Sequence, residues 1–126
     1  MSPEDVREEL LRRVDAIEAG YEFMLAYAAQ GLTNDAGSSS GAQIREFLRR
    51  FDEALTGFAD LYRRVVDHAF VDVLARDATS AQAAIRLVLA QPAISSALVD
   101  NLNASIHVRA LLTDVFLIDE VVKPQS

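Results

Sequence analysis

The sequence predicts an all-α fold, an elongated antiparallel helical bundle of three long helices plus one short helix, and three observations carry that reading. The first is a seam of large apolar side chains: Ile44, Phe47, Phe51, Leu55, Phe58, Leu61, Tyr62, Val65, Ala69 and Val73 recur every three or four residues. Successive residues of a helix turn by about 100°, so this spacing gathers the seam on one stripe. The second is punctuation. Ser2 with Asp5, Ser40 with Gln43 and Thr79 with Gln82 each place a hydroxyl three residues before a side chain able to reach back. In such a capping box the hydroxyl accepts from one orphan N–H and the later side chain covers another. The third is material for a core: 51% of the 126 residues are apolar and none is cysteine. A chain of that size and composition buries a core without metal or disulfide staples.

The first helix is expected from about Pro3 to Gln30, with Pro3 at the first helical position, where its missing N–H does no harm. Residues 31–41 (Gly-Leu-Thr-Asn-Asp-Ala-Gly-Ser-Ser-Ser-Gly) have the composition of a flexible linker. The second helix follows from about Gly41 to Arg76; Gly57 inside it costs up to ~1 kcal/mol relative to alanine and invites a bend. A short third helix is expected over Ser80–Ala90. Pro92 then either starts a fourth helix or kinks a continuous one, because its ring disfavours helical geometry at Gln91. The fourth helix runs to about Val122 and is ended by Lys123-Pro124; its β-branched last turns leave a terminal strand as the alternative. At 1.5 Å per residue the three long helices come to about 40–55 Å each, and rods with one apolar stripe hide it best by packing antiparallel.

One domain, residues 1–126, is expected at this length. The N-terminus Met-Ser-Pro-Glu-Asp lacks the plan of a signal peptide, and no apolar run approaches the ~20 residues that cross a bilayer. A cytoplasmic protein with no membrane partner is the expectation. The net charge of -7 argues against a nucleic-acid partner, which needs clustered Lys and Arg. Acids and arginines also stand four apart, as in Glu9–Arg13, Glu46–Arg50, Asp60–Arg64 and Asp72–Arg76, which marks solvated helix surface. Eleven arginines against one lysine, with abundant alanine, fit a GC-rich bacterial genome.

Apolar surface exceeds what one small core needs. From Tyr21 to Ala29 the first helix is apolar around nearly its whole circumference, with Glu22 its only charge, and Val65–Leu74 and Val115–Ile118 widen similarly. Self-association as a two-fold homodimer follows; the alternative is that the short third helix covers these ends.

Candidate chemistry is sparse. With Ile94, Leu98, Leu112 and Val115 as the core face of the fourth helix, Asn101 and Ser105 project onto that face and Arg109 lies close by. Such groups either form an internal network that fixes register, or line a small polar pocket. In the pocket reading Arg109 holds a carboxylate or phosphate, and Tyr21, Tyr27 and Tyr62 complete the lining. Glu22 is either a desolvated acid or a rim side chain pointing to water. His68 and Asp72, four apart, are weak metal candidates whose simpler reading is a polar ladder with Arg76. A carboxylate-bridged di-metal site requires Glu-x-x-His, whereas Val65 and Ala104 precede the two histidines.

The stretch Leu11-Arg-Arg-Val-Asp-Ala-Ile-Glu-Ala resembles, over little more than two turns, the opening helix of the helical type of chorismate mutase. That family needs a second arginine late in the first helix and a lysine in the next. Phe23–Ala29 holds no base and the second helix no lysine, so membership is not assigned. The function that best fits is a non-enzymatic accessory, assembly or regulatory protein, without cofactor, that works through protein–protein contacts as a homodimer. The runner-up is an anion-binding or enzymatic bundle centred on Arg109.

Overall fold

The computed structural model describes residues 1–122. Six helices follow one another: α1 Pro3–Ala28, α2 Ser39–Leu55, α3 Phe58–Arg63, α4 Phe70–Leu89, α5 Ser96–Ala104 and α6 Ile106–Val122. No strand occurs among the described residues, so the fold is an all-helical bundle, and the terminal-strand alternative falls. The expected stop at Lys123-Pro124 lies outside the described residues.

Helix α1 forms as its N-terminus dictates. The Ser2 hydroxyl accepts from the Asp5 N–H at 3.1 Å and the Asp5 carboxylate accepts from the Ser2 N–H at 3.2 Å. Its buried stripe, Val6, Leu10, Val14, Ile17, Gly20, Met24 and Tyr27, has the three-and-four spacing of one helix face. Gly20 leaves room for α2: a Cβ there would stand 2.9 Å from the Phe51 ring. α2 returns antiparallel to α1, with Phe23 stacked on Phe47 at a centroid separation of 4.3 Å.

The second expected helix, Gly41–Arg76, is divided among three elements. Gly57 has φ +68°, a left-handed conformation that glycine adopts without a Cβ penalty, and it ends α2 instead of bending it. The carbonyls freed at that end are not orphans. Arg13 of α1 donates to Ala54 O at 3.2 Å and to Thr56 O, and Gln82 of α4 donates to Asp52 O at 3.0 Å. A second break follows α3, where His68 Nδ1 accepts from the Phe70 N–H at 3.0 Å and so caps the start of α4. Half of the seam is nevertheless core: Ile44, Phe51, Leu55, Phe58 and Tyr62 are buried, drawn from α2 and α3 together, whereas Phe47, Leu61, Val65 and Val73 are half-buried and Ala69 is exposed.

The short third helix expected at Ser80–Ala90 is instead the second half of α4. Thr79 is no cap; its hydroxyl donates back to Ala75 O at 3.0 Å within the helix. Gln82, its supposed partner, is spent on α2. The expected cap Ser40 is likewise displaced, since Ser38 accepts from Gly41 N at 2.9 Å. The fourth expected helix starts later, capped by Ser95, and breaks at Ser105, whose ψ of 145° ends α5. The Ser105 hydroxyl then accepts from Val108 N at 3.3 Å, starting α6.

The stretch expected as a flexible linker is tied down. Asp35 accepts from Arg45 Nε at 2.7 Å and from Ile94 N at 2.8 Å, while Leu32 and Ser96 exchange two hydrogen bonds of 2.8 and 2.9 Å. Gly41 already belongs to α2, and a Cβ on it would fall 1.7 Å from Asp35 O. One contiguous core joins all six helices. Among the described residues no helix is long and apolar enough to cross a membrane.

Candidate functional site

The expected polar cluster on the fourth helix is not assembled. Helical projection from Ile94 to Val115 assumed one continuous rod, and the break at Ser105 resets the phase. Asn101 and Arg109 are exposed, and Ser105 is engaged as the cap between α5 and α6. Tyr21 lies half-buried against the core, and Tyr62 is fully buried between α3 and its neighbours, with no exposure to share with Arg109. The hydroxyl of Tyr27 is accounted for by Ile94 O, at 2.6 Å.

The two weak metal candidates also part company. The His68 ring is engaged by the Phe70 N–H, and Asp72 pairs with Arg63 at 2.8 Å, not with His68 or Arg76. Among the described residues no three His, Cys, Asp or Glu side chains gather as a metal site would need. Glu22 is exposed, the plainer of its two readings. Of the expected charge pairs, Glu9–Arg13 closes at 2.9 Å and Glu46–Arg50 at 3.0 Å.

What the structure does assemble is apolar. α6 buries Val108, Leu111, Leu112, Val115 and Ile118 on one stripe. Its opposite side carries a second apolar set: Ile106 is 75% exposed, Phe116 56%, Leu117 55% and Val121 68%. These four are half of the large apolar side chains left exposed among the described residues, and they share one helix face. Ile106, Ala110, Thr113 and Leu117 are spaced four, three and four, the spacing of a helix–helix seam. Among the described residues the charges on that face are Arg109 and Glu120, one of each sign.

Beside this face lies a groove of about 480 Å³ lined by Val66, Phe70, Leu117, Ile118 and Val121, with Asp67 and His68 on its rim. The backbone break after α3 builds one wall: Val65 N and Val66 N both bond back to Tyr62 O, which turns the chain and leaves Val66 facing the end of α6.

Two unsatisfied polar groups stand behind the same helix. Asp114, 6% exposed, projects from α6 toward Asp77 of α4, and its Oδ2 accepts no hydrogen bond. Burial first, then a hydrogen bond with Asp77 that needs a proton on one partner, then repulsion between the two charges push Asp114 up to about 7. The fully buried Tyr62 hydroxyl also lacks a partner; burial and the nearby Asp119 raise its pKa. Sequence reasoning missed Asp114 because it read the fourth helix in the wrong phase. The available signal was Leu111-Leu112-x-Asp114-Val115, an acid inside an apolar stretch.

Comparison with protein-family models, with curated proteins and with solved structures finds no match for this chain.

Proposed function

We propose that this protein is a helical-bundle accessory, assembly or regulatory factor, not an enzyme, that acts through protein–protein contact and is itself a homodimer. A single observation carries the reading: α6 is apolar on two opposite faces, and the bundle covers only one of them. Hydrophobic side chains scattered singly need no explanation, whereas a contiguous exposed set on a rigid element marks a contact surface. The polar groups that the sequence offered for ligand chemistry support the same reading, since Asn101 and Arg109 are exposed and Ser105 caps a helix.

The test is sedimentation equilibrium of the purified chain from 1 to 100 µM. The proposal expects a mass near twice that of the 13.8 kDa protomer, with dissociation on dilution. A single species of protomer mass across the whole range would refute the homodimer.

A further inference from the structure

We infer that the second copy docks α6 against α6 in antiparallel fashion, about a two-fold axis near Thr113, with Arg109 of each copy facing Glu120 of the other. This inference rests on the homodimer proposed above and adds the surface, the direction and the register.

The surface follows from where apolar side chains and charges fall. Ile106, Ala110, Thr113 and Leu117 form a straight seam along α6, with Val121 continuing it beside the groove. The chain carries a net charge of -7, yet among the described residues this face of α6 holds one acid and one base.

Direction follows from the placement of those two charges. Arg109 and Glu120 are eleven residues apart, three turns of helix, and therefore lie on the same flank of the seam, about 16 Å apart along the axis. In a parallel pair a two-fold sets this flank against the opposite one, that of Ala110 and Val121, so neither Arg109 nor Glu120 meets an opposite charge across the seam. In an antiparallel pair a two-fold sets each flank against its own counterpart with the ends exchanged. A midpoint axis then brings Arg109 within about one turn of the other copy's Glu120, twice per dimer. Opposed helix dipoles favour the same choice.

Register follows from the groove. α6 spans Ile106–Val122, so an axis near its middle carries the N-terminal end of one copy to the C-terminal end of the other. The most exposed side chain of the face, Ile106, then arrives at Leu117 and Val121, where the groove opens. A knob on one end of the helix and a hole beside the other are the complement a two-fold interface requires.

The experiment is sedimentation of full-length variants at low salt, where flanking charges are least screened. Leu117→Glu is expected to raise the dimer Kd at least a hundredfold. Arg109→Glu and Glu120→Arg are each expected to raise it about tenfold, and the double exchange, R109E with E120R, to return it to within about threefold of wild type. Circular dichroism checks that each variant stays helical; if Leu117→Glu does not, Ile106→Ser replaces it. A wild-type dimer indifferent to Leu117→Glu would overturn this surface while leaving the homodimer standing. Single reversals without effect, or a double exchange weaker than either, would overturn the antiparallel pairing. A wild-type monomer overturns the homodimer and this arrangement together.

Discussion

The two ends of this bundle are built by different rules. Where the loop after α1 meets the start of α5, the buried polar groups answer one another. Tyr27 OH donates to Ile94 O, the Ser96 hydroxyl donates to Tyr27 O, and Asp35 holds both Arg45 and the Ile94 N–H. At the far end, around α3 and the second half of α6, the Tyr62 hydroxyl and Asp114 Oδ2 have no partner, and large apolar side chains face outward. At the first end these polar groups are satisfied within the protomer, although Leu25 and Leu87 stay exposed near it. The second keeps both kinds of cost, desolvated polar atoms and hydrated apolar ones, and such costs persist where a region is shaped for something besides stability.

The sharpest way to break the first end is Gly41→Ala. The added methyl would sit 1.7 Å from Asp35 O, so the loop must move and the Asp35 contacts to Arg45 and Ile94 go with it. Urea denaturation should show a loss of about 3 kcal/mol, in the range of overpacking with broken charge-assisted bonds. A loss under about 1 kcal/mol would mean that this loop contributes little to the fold.

The two buried tyrosines give a paired contrast. Both are 0% exposed, yet Tyr27 donates a 2.6 Å bond and Tyr62 donates none. Tyr27→Phe leaves Ile94 O unsatisfied and should cost about 1–2 kcal/mol, whereas Tyr62→Phe removes an unpaired polar atom and should be neutral or stabilising. Equal losses in both variants would erase the distinction between the ends.

Asp114 gives the contrast its pH dependence. Its folded pKa, about 7, lies above the ordinary carboxyl value of 3.8, so between those values the native state binds more protons than the unfolded chain. Stability attached to this group is therefore present at low pH and is lost as pH rises through about 7. The urea midpoint should fall from pH 5 to pH 8, and Asp114→Asn should flatten that fall and raise the midpoint at pH 8. A wild-type midpoint that does not fall over this window would contradict the burial of Asp114 beside Asp77.

How far the sequence alone carried these conclusions depends on the range of the forces involved. α1 was legible from Ser2, Asp5 and Pro3, because a cap is made within four residues. The burial of Ile44, Phe51 and Tyr62 was legible as well, since breaking a helix does not change which residues are greasy. The breaks themselves were not. Ending α2 at Gly57 depends on Arg13, more than forty residues earlier, and on Gln82, twenty-six residues beyond Thr56. Periodicity takes no account of such partners, so Gln82 was read as a local cap for Thr79. The same blindness misplaced the site. One extended residue at Ser105 turned Asn101 and Arg109 to the surface, brought Asp114 inside and left Ile106 and Leu117 outward. Val115–Ile118 is apolar around the helix in the sequence; that Val115 and Ile118 turn inward while Phe116 and Leu117 stay outside required the structure.

The central claim is that the outer face of α6 is a covered surface in solution. Hydroxyl-radical footprinting at about 0.5 µM and 100 µM tests it side chain by side chain. Ile106, Phe116 and Leu117 should oxidise more slowly at the higher concentration, while Leu25 and Leu87, also exposed but on α1 and α4, should not change. Uniform oxidation of all five at both concentrations would contradict the account.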